Sequence, residues 1–258
     1  MIRIDGLEKT LNGQQVLRGV DLSVHVGEVL AIVGPSGTGK SVLLKHVIGL
    51  LVPDKGDVHI DDASIARCGA RELARLRQRM GYVFQDAALL DSLTVRQNLR
   101  LALSDADCRR NPMHATDRIH YALSMVNLGD SVLDKTPDEL SGGMRKRVGV
   151  ARAIINAPDI LLYDEPTTGL DPANVDAINQ LVLSTRDALG ATSILVTHDL
   201  VSLATVADRV ALLMRGRIAF IGSPNAFLES DDETVRSFIG GPANQGEEDE
   251  DGRILSRC

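Results

Sequence analysis

Tryptophan is absent from the 258 residues, and aromatic side chains make up only 3% of them. No apolar run reaches the roughly 18 residues that a membrane-spanning helix needs. The N-terminus, MIRIDGLEKT, also lacks the apolar stretch of a secretory signal. These absences predict a cytosolic protein, and any membrane role must come through partners. A basic surface is missing too: 28 Lys and Arg stand against 35 Asp and Glu, a formal net charge of −7. Nucleic-acid binding rests on a concentrated positive field, so this balance argues against it. The cysteines, Cys68, Cys108 and Cys258, are odd in number, widely spaced and without metal-ligand spacing. They read as free thiols in a reducing compartment. The stretch 241–258, with EEDED at 247–251, reads as an acidic, disordered tail.

What is present is an alternation of strand and helix patterns. Strand-like runs IRIDGL and QVLRGVDLSV lead to a buried-type strand, EVLAIVG, a glycine-rich loop and an apolar helix, SVLLKHVIGLL, closed by the turn PDKG. VHIDD reads as a strand, ARELARLRQRM as an amphipathic helix and GYVFQ as a further strand. From about 90 to 150 the pattern is helical, through DRIHYALSMVNL and SGGMRKRVGVARAIIN. Alternation then resumes with strand DILLYDE, a helix through VDAINQLVLSTRDAL, strand TSILVTHD, another helix and strand VALLMRGRIAFIG. Strands alternating with helices imply a mostly parallel sheet with helices on its faces. The fold class is α/β, with the middle helical block inserted into the sheet.

The string GPSGTGKS, comprising Gly34, Pro35, Ser36, Gly37, Thr38, Gly39, Lys40 and Ser41, follows a strand and opens a helix. Its glycines let backbone N–H groups turn onto phosphate oxygens, and the helix N-terminus adds its positive dipole end. Lys40 suits the β- and γ-phosphates, and Ser41 suits Mg²⁺. The strand ILLYDE ends in Asp164 and Glu165, at the sheet edge where α/β proteins bind ligands. Asp164 fits the magnesium shell, and Glu165 is placed to activate an attacking water as general base. A second anion site is written into LSGGMRKRVGVARA at 140–153, where Ser141, Gly142 and Gly143 open a long helix. Gln85 after GYVF, Asp171 in TTGLDP and His198 after SILVT complete the set.

Over nearly all of residues 1–240 this set resembles the ABC-type ATPases. The resemblance implies a P-loop NTPase (RecA-like) core with an N-terminal antiparallel β-subdomain and a helical subdomain at about 88–152. It implies ATP and Mg²⁺ as cofactors and a head-to-tail dimer with two ATP molecules between the copies. In that dimer Ser141 and Gly143 contact the γ-phosphate held by the other copy, Asp171 communicates across the interface, and His198 orients water and γ-phosphate. Gln85 completes magnesium coordination. The strings GPSGTGKSVLLKHVIGLL, FQDAALLDSLTVRQN, LSGGMRKRVGVARA and DDETVRSFIGG are similar to those of Mla-type ATPases, which work with Mce-domain proteins in bacterial lipid transport. That likeness implies a phospholipid substrate, a permease docked near Gln85–Asn98, Mce-domain and STAS-domain partners, and a place on the inner face of the cytoplasmic membrane. An amino-acid or other small-solute importer ATPase and an envelope-remodelling ATPase without transport are the alternatives.

The apolar run in QDAALLDSLTVRQN has two readings: a permease-docking surface, or packing of Ala87–Leu90 beneath the helical block. Two positions depart from the family pattern. Met144 replaces a common Gln and leaves the backbone donors intact. The aromatic that usually stacks on adenine is replaced by Leu11, and no aromatic precedes Tyr82. Without that ring the base has little to discriminate it. ATP and GTP are therefore expected to support similar kcat/KM in a phosphate-release assay, and a strong preference for ATP would contradict this.

Overall fold

The computed structural model describes residues 1–103 and 112–240. Near the N-terminus β1 (Ile2–Leu11) and β2 (Gln14–Val24) form an antiparallel hairpin. Its turn uses Asn12 and Gly13, both at positive φ, the pair that matches strand twist in a two-residue hairpin. Two further strands, β4 (Lys55–Ile60) and β5 (Ala63–Ser64), extend this sheet in the order β2-β1-β4-β5. Gly56 is required where β4 meets β1: a Cβ there would lie 2.3 Å from the Asp5 carbonyl oxygen.

The second sheet contains β3 (Val29–Val33), β6 (Met80–Val83), β7 (Ile160–Asp164), β8 (Thr192–Val196), β9 (Arg209–Met214) and β10 (Arg217–Gly222), in the order β10-β9-β3-β8-β7-β6. All neighbours are parallel except β9 and β10. β3, β7 and β8 are buried at every residue, which explains their unbroken apolar sequence: both faces of the sheet are covered. VALLMRGRIAFIG, expected as one strand, is instead the β9–β10 hairpin. Arg215 and Gly216 at positive φ reverse the chain, a turn hidden by the apolar residues on either side.

The helices are α1 (Lys40–Val47), α2 (Ala70–Gln78), α3 (Val95–Arg100), α4 (Pro112–Met125), α5 (Gly142–Ile154), α6 (Pro172–Leu189), α7 (Leu200–Val206), α8 (Pro224–Leu228) and α9 (Glu233–Ile239). α1 stops before the apolar run SVLLKHVIGLL does. Gly49 takes positive φ there and packs so closely that a Cβ would lie 2.7 Å from Leu73 Cδ1. One core joins α3, α4, α5 and α6 to the face of the second sheet through residues such as Leu99, Leu123, Val148, Tyr163 and Leu181. A second core lies between the two sheets and α1, and a third gathers Phe227, Val235 and Phe238 against β3 and β9. The stretch 88–152 holds α3, α4 and most of α5. No helix among the described residues is long and apolar enough to cross a membrane. Cys68 is a free thiol, while Cys108, Cys258 and the acidic stretch 241–258 lie outside the described residues.

Candidate functional site

Residues 34–41 link the end of β3 to the start of α1. Gly34, Gly37 and Gly39 all hold positive φ. At Gly34 a Cβ would lie 2.3 Å from the Leu213 carbonyl oxygen, and at Gly39 2.8 Å from Val16 Cγ1. The loop is thus wedged between the two sheets, while Pro35, Ser36 and Gly37 stay exposed above them. Lys40, only 5% exposed, donates from Nζ to the carbonyl oxygens of Gly34 (2.7 Å) and Pro35 (3.0 Å). Burial pushes its pKa below the ordinary lysine value, opposed by the carboxylates of Glu165 and Asp164. Glu165 Oε1 is 3.8 Å from the ammonium.

Asp164 closes β7 and receives two hydroxyl bonds, from Ser41 Oγ at 2.8 Å and Tyr82 OH at 2.9 Å. It therefore ties the phosphate loop to β6 and β7. The next residue, Glu165, lies outside the strand at φ 49° and donates its backbone N–H to the Val196 carbonyl. Its side chain is part-buried. Oε2 accepts from Thr168 Oγ1 at 3.0 Å and lies 3.3 Å from His198 Nδ1. His198 is exposed and sits two residues past β8 rather than ending it. The sequence-proposed residues Lys40, Ser41, Asp164, Glu165 and His198 therefore converge at the C-terminal ends of adjacent parallel strands.

Ser141 is the N-cap of α5 and accepts from Met144 N–H at 3.3 Å. Asp171 is the N-cap of α6, accepting from Asn174 N–H at 3.1 Å and Asn174 Nδ2 at 2.6 Å. These bonds to Asn174 hold the Asp171 carboxyl below the usual carboxylate range. The two helix starts meet: a Cβ on Gly143 would lie 2.4 Å from Asn174 Oδ1. Gln85 lies two residues past β6 and is exposed. Its carbonyl oxygen accepts from Nζ of Lys146, a buried residue of α5. The sequence assigns no role to Lys146, Arg152 or Tyr82, because their partners are remote in the chain, although Lys146 and Arg152 lie inside LSGGMRKRVGVARA.

The oxygens of Ser41, Asp164 and Gln85 are the hard donors that Mg²⁺ takes. Among the described residues there is no cluster of three or more His, Cys, Asp or Glu that could hold a metal. A site of this kind suits a cation held by one carboxylate together with substrate phosphates. The Gly143–Asn174 contact has a direct consequence. Replacing Gly143 with Ala should drive the part-exposed Asn174 side chain off Asp171 and cost at most about 1 kcal/mol in denaturant unfolding, because the helix preference for Ala over Gly offsets the lost bond. Asn174→Ala in the same chain should remove the clash.

Comparison with known proteins fits this geometry. The family model described as ABC transporter matches residues 17–168. A probable ribonucleotide transport ATP-binding protein, mkl, of Mycobacterium tuberculosis is 38% identical over 93% of this chain, which covers 66% of that relative's length. The lipoprotein-releasing system ATP-binding protein LolD of Bacteroides thetaiotaomicron is 40% identical, over 84% of this chain and 99% of its own. The methionine import ATP-binding protein MetN of Carboxydothermus hydrogenoformans is 40% identical over 84% of this chain and 65% of its own. Among solved structures, the dimeric bacterial ABC transporter cassette MJ0796 superposes with a TM-score of 0.76 at 31% identity, covering 87% of this chain and 99% of that one. With loop, acid pair and second helix N-terminus in one fold, the chain belongs to the ABC transporter family and is an ATPase of that family.

Proposed function

We propose that two copies of this chain close head to tail around two ATP molecules and drive phospholipid transport through a membrane permease, as in Mla-type systems. The observation that carries the ATP-driven part is the convergence of Lys40, Ser41, Asp164, Glu165 and His198 at one sheet edge. Residues Gly34 to Ser41 cradle the triphosphate with backbone N–H groups and the α1 N-terminus. Ser41, Asp164 and Gln85 would hold Mg²⁺, which offsets phosphate charge when bound. Glu165 takes a proton from the attacking water, and His198, beside its carboxylate, orients water and γ-phosphate. Ser141, Gly142 and Gly143 at the α5 N-terminus serve the ATP of the other copy, and Asp171 lies beside them through Asn174. The dimeric cassette structures support this pairing.

Glu165→Gln should bind ATP as tightly as the parent and lose about 10²–10⁴-fold in turnover, the usual contribution of a general base. Parent-like hydrolysis would remove Glu165 from that role. Lys40→Ala should weaken nucleotide binding itself.

The permease surface is a groove of about 480 Å³ between α2, β6 and the helices 95–154, lined by Ala74, Arg77, Tyr82, Phe84, Leu101 and Arg152. Phe84 and Leu101 are exposed apolar groups. The apolar run at Ala87–Leu90 divides: Ala87 is buried, Leu89 packs against the core beneath it, and Leu90 is exposed. Docking therefore falls on Phe84 and Leu101 rather than on Leu89. The phospholipid assignment draws on the Mla-like strings and on the lipoprotein-releasing relative, and it brings Mce-domain and STAS-domain partners and a place on the inner face of the cytoplasmic membrane. The methionine-import relative favours a small-solute importer as the second reading. Leu101→Asp should abolish co-purification with the permease while dimerisation and ATPase activity persist. Lipid in the purified complex supports the first reading, and a solute-binding protein in its place supports the second.

A further inference from the structure

The loop after β6 is held from behind by α5. Lys146 Nζ donates to the Gln85 carbonyl, and Arg152 donates to the carbonyl oxygens of Ala88 (2.5 Å) and Ala87 (2.8 Å). Between these two cations on the helix lies Gly149, where a Cβ would come within 3.0 Å of Ala87 Cβ. Ala87 and Ala88 are consecutive non-glycine residues at φ 59° and 48°, a conformation that costs energy and persists only when its surroundings enforce it. The enforcing groups are these two side chains and the close approach at Gly149. The negative charges of Asp86 and Glu165 also act on the buried Lys146 ammonium.

We propose that Lys146 is a positioning residue for ATP hydrolysis: it clips the Gln85 backbone to α5, so that Gln85 and the Ser141–Gly143 helix start move as one body. Any rotation of α5 that carries Ser141 toward the ATP of the other copy then sets Gln85 at the same moment. The coupling runs through one helix side chain and one backbone carbonyl. Arg152 extends the clip to the groove, because it also lines the proposed docking surface. This inference rests on the reading of Gln85 as a magnesium ligand.

The test is a double-mutant cycle in the full chain, with steady-state ATPase assays in Mg²⁺. Without turnover, Mg²⁺ is titrated into the protein bound to a non-hydrolysable ATP analogue, where Lys146→Met should weaken Mg²⁺ binding about tenfold and Lys146→Arg should restore it. Lys146→Met should lower kcat about tenfold, as loss of a group supporting a metal ligand does. KM for ATP should stay within about twofold, the ordinary margin of independent sites. Lys146→Arg, which keeps the cation, should restore most of kcat. In a Gln85→Ala background, Lys146→Met should cost nothing further. Should Lys146→Met fail to fold, Lys146→Gln replaces it throughout the cycle. Parent-like kcat, or losses that multiply with those of Gln85→Ala, would overturn the proposal. Gln85→Ala alone with parent-like kcat would instead sink the magnesium reading of Gln85, and a Lys146→Met loss persisting there would sink the clip as well.

Discussion

The Asp164 carboxylate is the point on which this structure turns. It ends the buried strand β7 and accepts hydroxyl bonds from Ser41, at the start of α1, and from Tyr82 in β6. Three segments distant in sequence are therefore registered against one another by one charged group. A carboxylate at 8% exposure must have its lone pairs satisfied. The two hydroxyls do this while leaving the group at the strand tip, beside the glycine-rich loop 34–41. The pKa of Tyr82 is driven up by burial and by that same carboxylate, so the phenol stays protonated and remains a donor.

Around Asp164 the backbone is held by close approach rather than by side chains. Gly34 lies against the Leu213 carbonyl, Gly39 against Val16, and Gly216 against the Val16 carbonyl. Each is a place where the phosphate loop, the antiparallel sheet and the β9–β10 hairpin come within contact distance of bare backbone. A Cβ at Gly34 would meet the neighbouring strand β9, one at Gly39 or Gly216 would meet β2 of the other sheet, and all three glycines hold positive φ. The phosphate loop thus takes its shape from two sheets at once, and the antiparallel sheet is part of the site's support.

The helices at 95–154 are organised by buried polar groups in the same way. Asn98, with no exposure, donates to the carbonyl oxygens of Leu90, Leu93 and Thr94 and accepts from the Leu90 N–H. Together with the thread from Lys146 and Arg152 to residues 85–88, this defines the whole segment from β6 to α3. The apolar look of that segment in the sequence has a mixed origin. Ala87 and Leu89 serve the core, whereas Phe84, Leu90 and Leu101 remain exposed. Aromatic scarcity is resolved similarly: Phe220, Phe227 and Phe238 are spent together on the C-terminal core, and Tyr82 stacks near Phe84.

The α/β class, the glycine-rich loop, the acid pair and the second helix start are legible in the residues alone. Chemistry that acts through contiguous backbone N–H groups, or through a strand tip, must be written in contiguous residues. Tertiary structure alone decided what holds those groups in place. Lys146 on Gln85, Tyr82 on Asp164 and Gly143 on Asn174 join residues far apart in the chain, where no local period or spacing records the contact. The β9–β10 reversal and the early end of α1 escaped the sequence for a related reason. Apolar residues continued past both turns, and burial on two faces looks the same in sequence whether the chain runs straight or folds back.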